Sequence, residues 1–359
     1  MKEMIQTPEA AMKHMQKIFK KRGTKALGIA RKEMLQEKTE SEEAKKAIAY
    51  FMTQYWHDLA RPSLLSMVCE AVGGDSETTT PVAVPMILIS GALSIHDDII
   101  DRTRTKGGYD TVYGRFGKDI ALLVGDALLF KGFSLVSTLA GKGVPTSKVS
   151  IIAEIIKDTF FELGTAEAME LNFRRRLDVL PEAYLQIIEK KAADVEAHAR
   201  IGVVLGNGSK EEVEAMAHYG RILGMMIILR DDWIDLMDFE ESRHRIEKES
   251  LPIPILYGLQ DRKTSVKLRP ILTRREVRKK DAQALLEVIN TSKAMKRYLA
   301  LMNELAANAS SKLKSMKKNE TKDLELLLRA TLPPSLDRLN AKEKNQFILG
   351  GSTRSLPEP

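Results

Sequence analysis

Apolar residues recur at intervals of three and four along most of the stretch 44–328, interrupted by short segments of glycine, proline or clustered polar residues. The interruptions fall at 73–80, 105–117, 141–147, 178–181 and 206–210. Runs of alternating β-branched residues are scarce, so the pattern predicts an all-α fold. The segments between breaks reach roughly 20 residues or more, longer than an average globular helix, which suits a large antiparallel bundle. No composition shift marks a second domain. One helical domain is expected over 41–332, preceded by a more highly charged peripheral helical segment over 1–40 and followed by a polar tail over 333–359.

Composition adds little to that picture. A chain of 359 residues with 43% hydrophobic and 29% charged content can bury a substantial core. No apolar run reads as a membrane span and the N-terminus lacks the apolar core of a signal peptide, so a cytoplasmic protein without a transmembrane segment is expected. The single cysteine, Cys69, excludes an intrachain disulfide framework. The net charge of +7 is spread over interspersed acids and bases. Basic clusters such as 20–22 and 274–280 carry no interleaved aromatics, which argues against nucleic acid as a partner.

Two acidic clusters of the same form change the picture: IHDDIID at 95–101 and LRDDWID at 229–235. Each ends a long apolar helical stretch, where a block of carboxylates is costly unless a cation neutralises it. On a helix Asp97 and Asp101 share one face, as do Asp231 and Asp235, with Asp98 and Asp232 beside them. A single such cluster is equally well a solvated or salt-bridged helix end. A matching pair points instead to a shared site, and carboxylate oxygens are the hard donors magnesium uses when it also binds phosphate. No Cys/His grouping offers zinc a competing site. The residues alone therefore imply a helical bundle that binds a polyphosphate through magnesium.

Further motifs give the chain a family likeness. ARP at 60–62, IHDDIID, TVYGRFG at 111–117, GDALL at 125–129, YLQIIEKKAA at 184–193, DDWID at 231–235 and KESLPIPILYGL at 248–259 occur in this order. In them the chain resembles the trans-isoprenyl diphosphate synthases over roughly 50–330. The resemblance implies an all-α bundle around a central cavity, with Asp97, Asp98, Asp101, Asp231, Asp232 and Asp235 holding three Mg2+ ions around an allylic prenyl diphosphate. That diphosphate departs to leave an allylic cation, which isopentenyl diphosphate then attacks. By register, Lys191 and Lys248 correspond to lysines that grip the allylic diphosphate. Lys106 stands where an arginine is usual, keeping the charge but losing the bidentate fork. The resemblance also implies a homodimer through central helices.

The chain departs from the family where the second substrate is held. The positions expected to carry lysine, arginine, histidine and arginine are Asp58, Leu59, Ser90 and Gly107. An aspartate in place of a cation repels a diphosphate as well as failing to attract it. The residues before the second cluster, Ile227 and Ile228, replace a Phe-Gln pair, and no glycine-lysine follows in MDFEESRHRIE. The favoured expectation is an enzyme that ionises an allylic diphosphate without isopentenyl diphosphate, in the manner of terpene synthases. The alternatives are a divergent chain-elongating prenyltransferase, its missing contacts supplied by Arg61, Arg102 or Arg104, and a regulatory subunit that forms a heteromer with an active paralogue.

Substrate length is read ahead of the first cluster. The family closes its hydrocarbon pocket with an aromatic four or five residues before DDxxD; here those positions are Leu93 and Ala92. With Leu88 and Ile89 one turn deeper, an open pocket for chains of C15 or longer is expected. Phe130, Phe133, Phe160, Phe161 and Trp233 are the aromatic candidates for facing a cation, Phe161 and Trp233 foremost, against core packing as the alternative.

Overall fold

The computed structural model describes residues 7–314, 316 and 320–334. The polar tail expected over 333–359 thus lies outside the described residues beyond 334. The described residues form α-helices with one two-residue-per-strand hairpin, and the five sequence breaks all separate or interrupt helices. In chain order the helices are α1 (Pro8–Leu35), α2 (Glu42–Tyr50), α3 (Ala60–Ala71), α4 (Thr80–Ile100), α5 (Val112–Ser137), α6 (Thr146–Glu170), α7 (Pro181–Lys191) and α8 (Ala193–Leu205). There follow α9 (Lys210–Asp235), α10 (Phe239–Lys248), α11 (Ile253–Gln260), α12 (Arg262–Leu272), α13 (Lys279–Thr291), α14 (Lys293–Lys314) and α15 (Lys322–Ala330).

Local chemistry explains several boundaries. Thr7 caps α1 by accepting a hydrogen bond from Ala10 N, with Pro8 in the first turn, where its missing N–H costs nothing. Ser209 and Glu212 form a reciprocal capping box that starts α9. Thr111 caps α5, which breaks its helical path at Gly117, held at φ 82°. Between α4 and α5 the chain forms the hairpin β1 (Thr105–Lys106) and β2 (Tyr109–Asp110), turned by Gly107 and Gly108 at positive φ. The helical periodicity of the flanks gave no sign of it. A π-helical turn, Phe51–Tyr55, continues α2.

Two apolar clusters make the core. One gathers Trp233, Tyr219 and Tyr298 with residues of α7, α9, α11 and α14; the other gathers Phe51, Trp56 and Leu88 with residues of α2, α4, α5 and α8. Each fully buried large apolar side chain contributes about 1.5–3 kcal/mol. Helices α4 and α5 approach so closely that a Cβ on Gly132 would lie 2.6 Å from Ile89. Helix α1 is integral to the bundle: Met15 and Phe19 join the first cluster and Ala26, Leu27 and Ala30 the second. The segment expected to be peripheral is therefore core-forming.

By length and composition alone two helical stretches, Ser76–Ile100 and Val112–Ser137, are apolar enough to cross a membrane, a test that the core helix of a bundle also passes. The first is 72% buried over its most apolar window, as a core helix is; the second is only 39% buried. Its outer face exposes Leu123, Phe130 and Phe133.

Candidate active site

One face of α4 lines a cavity of about 580 Å3, through Ser90, Leu93, Ser94, Asp97, Ile100 and Asp101. That spacing is one helical stripe, so the periodicity that buries the rest of α4 also aims these residues inward. Ser90 and Asp97 are about 10 Å apart along the helix axis. The cavity therefore has two ends, one at the aspartates and one near Ser90.

At the aspartate end, Ile228, Asp232 and Asp235 of α9 face the same space, joined by Glu167 and Glu170 of α6, Tyr184 and Lys191 of α7, Glu241 and Arg245 of α10, and Glu249. Carboxylates outnumber cations here, and the ion pairs are shared. Arg245 Nη2 lies 2.9 Å from Asp232 and 2.8 Å from Asp235, while its Nη1 lies 3.0 Å from Glu249. Arg174 Nη2 lies 2.5 Å from Asp101, and Lys191 Nζ lies 2.8 Å from Glu167 and also pairs with Glu170. Burial, together with Asp97 and Glu249, pushes the Asp101 carboxyl up to about 8; burial and Asp97 push Glu167 up to about 7. Burial likewise pushes Asp232 up to about 7, against the pull of Arg245. Burial opposes the charge of Lys191, but Glu170, Asp97 and Glu167 outweigh it and hold the ammonium well above its ordinary value.

The hairpin borders this end. Lys106 lines the cavity; burial disfavours its charge, yet Asp98, Tyr55, Asp97 and Asp235 reverse that effect and raise its pKa. Gly107 N donates to Glu241 Oε1 at 3.0 Å, and Thr103 Oγ1 lies 3.2 Å from His244 Nε2, so the 103–111 segment is latched onto α10.

Near Ser90 the arrangement differs. Arg61 donates from Nε to Asp194 Oδ2 at 2.5 Å and from Nη1 to Asp58 Oδ2 at 3.1 Å. Asp58 Oδ1 also caps α3, accepting from Ala60 N and Arg61 N. Ser90 Oγ lies 3.5 Å from Asp194 Oδ1, and His198 Nδ1 lies 3.5 Å from the same oxygen. Burial would raise Asp194, but Arg61 and then His198 hold it below the usual carboxylate range.

Among the described residues no three His, Cys, Asp or Glu side chains converge into a formed metal shell. The donor chemistry still fits a hard divalent cation: Asp97 and Asp101 from α4 and Asp235 from α9 are carboxylates lining the same cavity, and the crowding that lifts Asp101 is what such a cation relieves. At the second cluster Arg245 already neutralises Asp232 and Asp235.

The sequence pattern describing polyprenyl synthetases matches residues 32–289. The chain belongs to the polyprenyl synthetase family. It is 34% identical over 183 residues to the short chain isoprenyl diphosphate synthase of Methanothermobacter thermautotrophicus, covering 51% of this chain and 55% of that protein. It is 32% identical over 214 residues to the geranylgeranyl diphosphate synthase of Methanosarcina mazei, covering 59% of this chain and 65% of that one. The chain thus spans between half and two thirds of the length of these relatives. The fold superimposes on the crystal structure of geranylgeranyl pyrophosphate synthetase from Pyrococcus horikoshii with a TM-score of 0.77 at 24% identity, over 89% of this chain and 99% of the other. A polyprenyl synthase from Caulobacter crescentus, solved with calcium and isoprenyl diphosphate, gives 0.75 at 20% identity over 88% and 97%.

Within this polyprenyl synthetase the sequence-marked residues divide. Asp97, Asp101, Asp232, Asp235, Lys106, Lys191 and Leu93 line the cavity. Asp98 is buried off the stripe, with the Tyr55 hydroxyl 3.5 Å from its Oδ2. Asp231 leaves the wall as well: the lining face of α9 runs through 228, 232 and 235, and Asp231 accepts from Arg230 at 2.7 Å instead. Lys248 is exposed at the end of α10 and does not line the cavity; Arg245, almost one turn earlier, does. Leu88, Ile89 and Ala92 are packed in the second core cluster, off the cavity wall, because α5 presses against that face of α4. Phe161 is 70% exposed; its neighbour Phe160 lines the cavity. Trp233 is fully buried against Tyr298, and Phe130 and Phe133 face outward. Arg245, Glu167, Glu170 and Asp194 went unmarked in the sequence.

Proposed function

We propose that the chain is a magnesium-dependent enzyme that binds an allylic prenyl diphosphate at the aspartate end and releases diphosphate to form an allylic cation, without isopentenyl diphosphate. The observation that carries the second half is Arg61, held between Asp58 and Asp194 with Ser90 adjacent. Its positive charge is already matched by carboxylates, so a second diphosphate entering there meets net negative charge in a buried setting.

Asp97, Asp101 and Asp235 would hold the metal, up to three ions if Asp232 is released from Arg245; bound there, magnesium supplies Lewis-acid neutralisation of the leaving diphosphate. Lys106 and Lys191 add fixed cations from two sides, and the latched hairpin keeps water away from that charge. Arg245 extends the cationic wall if it swings from its carboxylates to the phosphates. Leu93, Phe160, Leu163, Leu171 and Ile228 offer the apolar wall for a prenyl chain, which we place at C15 or longer. The exposed stripe Leu123, Phe130 and Phe133 on α5 supports the homodimer, since an apolar face of this kind is ordinarily covered. A cytoplasmic setting remains part of this proposal.

Purified protein is incubated with magnesium and farnesyl or geranylgeranyl diphosphate, with and without isopentenyl diphosphate, and released diphosphate is measured. Release without isopentenyl diphosphate is expected. Release that requires it, with a longer prenyl diphosphate as product, overturns the proposal in favour of chain elongation, the second reading, which the names of the relatives support.

A further inference from the structure

The Ser90 end of the cavity is not merely a disabled diphosphate site. Two carboxylates, Asp58 and Asp194, surround one guanidinium, leaving the cluster one negative charge in excess when both are ionised. Such an end disfavours an anion and has no need of another cation. It is suited to a small neutral molecule that both donates and accepts hydrogen bonds.

Its polar groups supply both halves of that recognition. An ionised carboxylate has about four acceptor sites, and Asp194 commits one oxygen to Arg61 and turns the other toward Ser90 Oγ and His198 Nδ1, each at 3.5 Å, too far to saturate it. Ser90 Oγ can donate or accept. Trp56, also on the cavity wall and 1% exposed, carries a buried indole N–H with no hydrogen-bond partner among the described residues. A buried donor left in this state costs free energy that an acceptor oxygen would recover. The indole ring is fixed by stacking on Phe51, centroids 5.4 Å apart, so it does not swing away to find another partner.

We propose that this end of the cavity holds a water molecule as the acceptor of the allylic cation, with Asp194 taking its proton, so that the product is a prenyl alcohol. This rests on the function proposed above. The allylic C–O bond breaks with its electron pair leaving on diphosphate; a lone pair of the water oxygen forms the new C–O bond. The resulting oxonium, far more acidic than a carboxylic acid, passes one proton to Asp194, which later releases it to solvent. Arg61 keeps Asp194 ionised and oriented until that moment and is a positioning residue. Direct removal of a carbon-bound proton by Asp194 would also consume the cation, but it would leave the Trp56 donor unmatched. A water oxygen accepts from that donor and donates to Asp194, giving it the two or more partners an ordered buried water needs.

The test uses the full chain with magnesium and farnesyl diphosphate in water enriched in oxygen-18. Diphosphate release accompanied by farnesol or its allylic isomer carrying the label on carbon is expected. In Asp194→Asn the fraction of released diphosphate matched by labelled alcohol should fall at least about tenfold in favour of hydrocarbon. Release with hydrocarbon products in the wild type overturns the water acceptor alone; an unchanged alcohol fraction in Asp194→Asn overturns Asp194 as the group that takes the proton. Absence of release without isopentenyl diphosphate overturns the underlying function, and the acceptor with it. The wild-type label measurement decides between water and elimination even where the variant fails to fold.

Discussion

The two ends of one cavity, about 10 Å apart along α4, handle charge in opposite ways. At the aspartate end carboxylates are in excess, crowded enough to lift Asp101 to about 8, and their cations sit on separate elements: Arg174 beyond α6, Lys191 on α7 and Arg245 on α10. At the Ser90 end a single arginine is clamped by Asp58 and Asp194, so its positive charge is fully matched. The contrast teaches that identical residue types make a site receptive or closed according to whether their mutual pairing is saturated. Crowded carboxylates create demand for a metal ion and, only through it, for a polyphosphate. A saturated arginine extinguishes it.

The largest expected effect comes from emptying the first end. Asp97→Ala and Asp235→Ala should each lower diphosphate release by roughly a thousandfold or more, because each removes a hard donor facing the leaving group. Asp231→Ala should cost far less, since Asp231 pairs with Arg230 off the wall; equal losses for Asp231 and Asp235 would show that the lining face of α9 is misassigned. Next, Arg245→Ala leaves Asp232, Asp235 and Glu249 without their shared cation, and should destabilise the metal-free protein by about 3 kcal/mol. Thermal unfolding with and without magnesium reads this, and magnesium should recover more stability in the variant than in the wild type.

A smaller effect sharpens the second end. Asp194 is held below its unfolded value by Arg61, so it contributes stability that is fully present above about pH 4 and is lost as pH falls through its depressed folded value. The wild-type melting temperature should therefore fall more steeply between about pH 5 and about pH 3 than that of Asp194→Asn; parallel curves would remove Arg61 as its stabilising partner. The smallest effect is at Lys248, exposed and off the cavity: Lys248→Ala should change diphosphate release by less than about twofold. A large loss there would mean that the end of α10 moves inward when substrate binds.

Helices and their breaks were legible because periodicity and turn residues are local properties, and motif register singled out, among many lysines, Lys106 and Lys191, both of which line the cavity. The hairpin at 105–110 was not, since two residues per strand leave no alternating pattern to read. Pairing Asp231 with Asp235 went astray because 228, 232 and 235 face the cavity, and a four-residue spacing alone does not say which of two adjacent stripes turns inward. Arg245 had a signal: Glu241, Arg245 and Glu249 form an i, i+4 ladder immediately after the second cluster. Glu167 and Glu170, three apart on one helix, had a similar one. Asp194 had none, because its meaning depends on Arg61, which lies 133 residues away in sequence and 2.5 Å away in space.

The π-helical turn at Phe51–Tyr55 gives the Ser90 end a tolerance of chain length. Such a turn accommodates more residues per revolution than an α-helix, so it sets the rotational phase of whatever follows. Deleting Thr53, which is exposed and packs against nothing in the core, should let the turn relax to α-helix with four residues sweeping about the same angle that five now sweep, so the residues that follow keep their facing. Trp56 and Asp58 would then keep their present facing, whereas the loss of a residue from a regular α-helix turns everything beyond it by about 100°. The turn thus acts as a buffer, a place where the chain can lose one residue while the groups near Ser90 hold their positions.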